Sequence, residues 1–164
     1  MKSKKIALFG LLIALAFVLS YIESLIPVFI AVPGVKLGLT NLVVLIALDR
    51  LKKKDAFFIN MIRILLVGLT FGNTFSMLYS FAGGMLSFLA MVFLYKKNWF
   101  SVIGISVAGG LFHNIGQIIV AAIVLQSDAL FYYLPVLMIS GTIAGIVVGI
   151  LCGEIVKRLP KSDI

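Results

Sequence analysis

Apolar runs long enough to cross a bilayer, punctuated by short clusters of lysine and arginine, make up almost the whole sequence. With 62% hydrophobic and 12% charged residues and a mean hydropathy of +1.21, the chain holds more apolar surface than a soluble domain can bury. The pattern predicts an all-α, polytopic membrane protein. Its 164 residues suffice for six spans, predicted over 6–25, 37–48, 56–71, 74–95, 102–125 and 130–156, with no room for a separate soluble domain. If the spans alternate, Lys2, Lys4, Lys5, Arg50, Lys52, Lys53, Lys54, Lys96, Lys97, Lys157, Arg158 and Lys161 share one side. That is twelve of the fourteen basic residues, which predicts a bundle with both termini cytoplasmic. The net charge of +8 therefore reads as topology, with the lipid bilayer and not nucleic acid as partner. The lysines before the first apolar run resemble a signal peptide, but the run continues past Ala14-Leu15-Ala16, which predicts a retained first helix.

The two remaining basic residues carry the functional expectation. Lys36 falls in an external loop, and Arg63 lies inside the third span, in N-M-I-R-I-L-L-V-G-L-T-F-G-N over 60–73. A cation near the bilayer centre costs about 3 kcal/mol even on a lenient insertion scale, so Arg63 should face the bundle interior and meet a partner. The competing reading has it snorkel toward Lys52, Lys53 and Lys54, about two to three turns away. Asn60, three residues earlier, shares its helix face.

Polar residues elsewhere can join it. The fifth span contains A-G-G-L-F-H-N-I-G-Q, in which His113 and Gln117 project from one face and Asn114 lies about 100 degrees from His113. Asn41 stands near the start of the second span and Asn73 in the turn after the third. Lys36, Asn41, Arg63, Asn73, His113 and Gln117 thus form the candidate substrate-binding set. A guanidinium there suits a carboxylate, phosphate or diphosphate, which it can grip through two parallel hydrogen bonds. Glu23 is the leading acidic alternative for pairing with Arg63, but its place near the outer end of the first helix predicts more than one side chain's reach.

Small residues mark packing seams. Ser76, Ser80, Gly83 or Gly84, and Ser87 recur along the fourth span, Gly141, Gly145, Gly149 and Gly153 along the sixth, and Gly10 and Ala14 along the first. The segment 26–36, with two prolines and a glycine, predicts an ordered apolar external loop that caps the bundle. Chemistry of other kinds is not written here. The six acidic residues are scattered, so no aspartate-rich cluster can hold magnesium against a diphosphate. There is no nucleophilic triad, metal-ligand spacing or P-loop, and Cys152, the single cysteine, suits packing. The chain is not expected to be an enzyme by itself, and no cofactor or metal is expected.

P-G-V-K-L-G-L-T-N (33–41), R-I-L-L-V-G-L-T-F-G-N (63–73), Y-S-F-A-G-G-M-L-S (79–87) and H-N-I-G-Q (113–117) resemble the family known as heptaprenyl diphosphate synthase component I, or Gx transporters. That family in turn resembles the S components of energy-coupling factor (ECF) transporters. The resemblance implies six spans in a bacterial cell membrane, cytoplasmic termini, an external-side site capped by the first loop, and a partner-docking pair at Gly10 and Ala14. The function it implies is a substrate-binding subunit for uptake of a small, anionic molecule, isoprenoid-, flavin- or vitamin-like. Separate ECF ATPase and coupling proteins would supply the energy. The alternative is a non-catalytic membrane component of isoprenoid or quinone metabolism, a partner of a prenyl diphosphate synthase, or a part of membrane electron transfer.

Overall fold

The computed structural model describes residues 2–25, 38–70, 72 and 74–159, with the side chains of 2–4 and 24 excepted. The expected capping loop over 26–36 lies outside the described residues. Among the described residues every regular element is helical. α1 spans Lys2–Leu25, α2 Leu39–Arg50, α3 Lys53–Thr70, α4 Thr74–Lys97, α5 Val102–Leu125 and α6 Leu134–Arg158, with a 3-10 turn over Asp128–Tyr133 before α6.

Four of these segments are long and apolar enough to cross a membrane: Lys5–Glu23, Thr74–Lys97, Val102–Leu125 and Asp128–Arg158. The six predicted spans therefore correspond to six helices of unequal kind. At 12 residues α2 is only about 18 Å long, well short of a hydrocarbon core of about 30 Å. It is instead the centre of the bundle, touching each of the other five helices, with Thr40 through Leu48 all buried. A helix apolar all round, as this one is, is stable only when enclosed. α3 carries Lys53, Lys54, Asp55 and Arg63, too many charges for a simple span. The sixth predicted span also breaks early. Pro135 occupies the first turn of α6, where a missing N–H costs nothing, and the chain before it winds as a 3-10 turn.

The helices run alternately up and down, so the start of α1 and the end of α6 lie at one end of the bundle. Contacts there fix the arrangement: Lys5 Nζ pairs with Asp55 Oδ2 at 2.6 Å, tying α1 to α3. Arg50 pairs with Asp49 at 3.2 Å and donates to the Val156 carbonyl, while Tyr95 donates to Asp49 at 3.3 Å, joining α2, α4 and α6. The lysine-rich ends gather at this end, and the apolar core beneath them is built on α2 with Ala56, Ile59, Phe88, Met91, Ile105, Val148 and Cys152.

α4, α5 and α6 pack backbone to backbone. A methyl group at Gly83 would come within 2.7 Å of the His113 carbonyl oxygen, and one at Gly110 within 2.7 Å of that of Gly141. The expected glycine ridge of α6 is present through Gly141, Gly145 and Gly149 and stops at Gly153, where an added methyl would meet nothing within 4 Å. α1 is different: among the described residues it packs on α2 and α3 alone, and Gly10 and Ala14 face outward with no described neighbour filling the space beside Gly10.

Candidate functional site

In the half of the bundle away from the lysine-rich end, the helices part around a cavity of about 160 Å³. The end of α1 supplies Ser20 and Glu23, the start of α2 supplies Gly38, Thr40 and Asn41, and α3 supplies Arg63, Ile64 and Val67. Ser76 and Ser80 of α4, Ser106, Gly110, His113 and Asn114 of α5, and the glycine face of α6 complete the wall. A volume near 150 Å³ is room for a molecule the size of benzene, so a head group or a small metabolite fits and a polyprenyl tail does not.

Arg63 is only 6% exposed and lies on this wall, buried in the bundle interior instead of reaching the lysine-rich end. Its guanidinium donates to Asn60 Oδ1 at 2.7 Å, and Asn60 Nδ2 donates in turn to the Gly84 carbonyl at 3.1 Å. Asn60 is 1% exposed, so this relay clamps the arginine to the α4 backbone without water. The Nε of Arg63 is buried and has no hydrogen-bond partner among the described residues, and no carboxylate there lies within salt-bridge distance. Leaving such a donor unmade costs about 1–3 kcal/mol, more for a charged group.

Glu23 also lines the cavity, with no salt bridge to Arg63 among the described residues. α1 continues to Leu25, which brings the carboxylate over the start of α2, where Oε1 accepts the Gly38 amide at 2.6 Å. Asn114 is held by donating to the Leu137 carbonyl at 2.6 Å, and the glycine at 141 leaves the space its amide fills.

Of the predicted set, Asn41, Arg63 and His113 come together on the cavity wall. Gln117 does not line it. Its side chain lies against Gly83 of α4, whose added methyl would sit 2.8 Å from its Cγ. Lys36 and Asn73 lie outside the described residues. Ser76 and Ser80, read from the sequence only as a packing seam, line the cavity as well, as do Ser20, Thr40, Ser106 and Asn114. Asn114 carried a signal as a polar residue in an apolar run; the serines carried none beyond their small size.

A family described as heptaprenyl diphosphate synthase component I matches residues 12–155. The chain belongs to the heptaprenyl diphosphate synthase component I family. The match spans every cavity-lining residue, from Ser20 to Val148. As a component I protein it is one part of a system and not an enzyme by itself. Among the described residues no three His, Cys, Asp or Glu side chains come together as a metal site. No curated protein and no solved structure matches this component I chain.

Proposed function

We propose that the chain is a non-catalytic membrane component that holds the anionic head group of an isoprenoid-type ligand in the Arg63 cavity, beside a separate prenyl diphosphate synthase. The observation that carries this reading is a buried guanidinium with an unmade N–H in a residue that lines a head-group-sized cavity, in a chain of this family. The tail of such a ligand lies outside the cavity, along the apolar helix faces. Mass spectrometry of what copurifies with the wild-type protein tests it: a prenylated phosphate, diphosphate or quinone is expected with the wild type and not with Arg63→Gln. A knockout with unchanged quinone side-chain length and abundance would count against the isoprenoid assignment.

A second reading keeps the same site and changes its source. With the helices alternating in direction, the lysine-rich end and both termini lie on the cytoplasmic side by the positive-inside rule. The cavity then sits in the external half, which favours a ligand met from outside. That suits a substrate-binding subunit for uptake of a small anion, coupled to ECF-type ATPase and coupling proteins through the outward Gly10 and Ala14 face of α1. Copurification with tagged ATPase and coupling proteins from native membranes, together with a nutrient-uptake defect in the knockout, distinguishes it.

A further inference from the structure

The start of α2 bears on what enters the Arg63 cavity. Gly38 is the N-cap residue of α2, adopts the left-handed conformation at φ 69°, and as a glycine brings no side chain to cap the helix. The first amides of a helix lack intrahelical acceptors and carry the positive end of its dipole, a combination that attracts anions. Here the Asn41 amide turns back to the Gly38 carbonyl at 2.9 Å, which leaves Leu39 and Thr40 to find acceptors outside the helix. Gly38, Thr40 and Asn41 line the same cavity as Arg63. Two independent anion-attracting elements therefore share one space: a helix N-terminus, and a buried guanidinium whose Nε has no partner among the described residues. One anion is already present, since the Glu23 carboxylate lies on the same wall and takes the Gly38 amide at 2.6 Å.

We propose that the N-terminus of α2 and Arg63 form a single cradle for a carboxylate or phosphate group, and that Glu23 is its resident competitor, displaced from the Gly38 amide when that group enters. This rests on the reading of the Arg63 cavity as the ligand site. Glu23 accepts the Gly38 amide and attracts Arg63 through its charge without a salt bridge to it, so the arriving group gains hydrogen bonds to the guanidinium and exchanges one anion for another at the helix end. The displaced Glu23 remains nearby as a like charge, so its presence keeps affinity below what the cradle alone would give. The bond also ties the end of α1 to the start of α2, so displacement loosens the two helix ends that flank the cavity.

The test uses the full chain in detergent at fixed ionic strength, with thermal unfolding followed against inorganic phosphate and, separately, geranyl monophosphate. Glu23→Gln should bind the responding probe roughly threefold to tenfold more tightly than wild type, as loss of a nearby like charge at a helix N-terminus implies. Glu23→Asp, which withdraws the carboxylate by one methylene and serves if Glu23→Gln fails to fold, should fall between. Arg63→Gln should bind at least about tenfold more weakly, as expected for losing a charged hydrogen-bond partner. A response to both probes makes the ligand group a free anion, and a response to geranyl monophosphate alone makes it a lipid head; either supports the cradle when the Glu23 order holds. Unchanged or weaker binding in both Glu23 variants, with Arg63→Gln still disruptive, overturns the competitor and leaves the Arg63 reading standing. Binding indifferent to Arg63→Gln, or absent from every variant, overturns both.

Discussion

Where α5 meets α4 and α6, backbone touches backbone through glycines; where α1 and α3 close around α2, larger side chains fill the gaps and the charged groups of the cavity are found. The first arrangement leaves no freedom: methyl groups at Gly116 and Gly149 would come within 2.8 Å of the Ala82 carbonyl and 2.6 Å of Ile103 Cα. The second carries both charged residues of the cavity, Arg63 and Glu23, and the helix end between them. Apolar side chains gain little by leaving lipid for a helix interface, so a membrane bundle gains cohesion from close van der Waals packing of small residues. The glycine side of the cavity is thus built for stability, and the α1–α3 side bears the two charged groups, with neutral polar side chains on both sides.

The sharpest way to break this division is at Arg63. Arg63→Gln should remove ligand binding, a loss of about 3 kcal/mol or more as for truncating one partner of a buried charged pair, and leave an extractable, folded protein. Arg63→Lys keeps the charge but lacks the planar fork, so it should also bind weakly. Ligand content by mass spectrometry, with size-exclusion elution as the folding check, measures both. If Arg63→Gln misfolds, the charged side is structural too and the division fails.

Next comes the tight side. Gly149→Ala places its methyl against the α5 backbone, which cannot rotate away, and should destabilise by about 1–3 kcal/mol. Gly153, the next member of the same ridge, has open space beside it. Gly153→Ala should be neutral or up to about 1 kcal/mol stabilising through helix propensity. Thermal unfolding of the pair in one detergent tests whether contact, and not the presence of a glycine ridge, decides the outcome. Between them in size falls Asn60→Ala, which releases Arg63 from the α4 carbonyl. It should cost about 1–2 kcal/mol of stability and weaken ligand binding together, since the one side chain serves both halves.

How much of this was legible can be read from particular residues. Helix positions followed from apolar runs and lysine clusters, because both are dictated by the bilayer. The role of α2 was not: a 12-residue apolar run looks the same whether it skims a membrane or fills the centre of a bundle. Arg63, Asn41 and His113 stood out because polarity within an apolar run is expensive and needs a reason. Ser76 and Ser80 did not, since a serine in a membrane helix serves packing as readily as it lines a cavity. Gln117 was misplaced because its side chain packs against Gly83 of α4, a tertiary contact that spacing along α5 does not encode. The bond from the Gly38 amide to Glu23 was not legible, because the reach of α1 over the start of α2 is a tertiary fact that sequence spacing does not encode.

The smallest expected effect concerns the outward face of α1. Gly10 and Ala14 are exposed, and an added methyl at Gly10 would meet nothing within 4 Å among the described residues, so little packing of the isolated protein is at stake there. Gly10→Leu and Ala14→Leu should therefore change its stability by no more than about 0.5 kcal/mol, as is usual for surface positions, and leave ligand content unaltered. A helix from another protein seated on that face would be held by close approach over two small residues one turn apart, and a leucine at either would force the backbones apart. Loss of a copurifying partner with unchanged unfolding would make α1 a third kind of region, neither the tight wall nor the charged one, kept small for another chain. A fall in stability instead would mean that α1 is seated more tightly than its open face indicates, and an intact complex in both variants would place the contact elsewhere on the bundle.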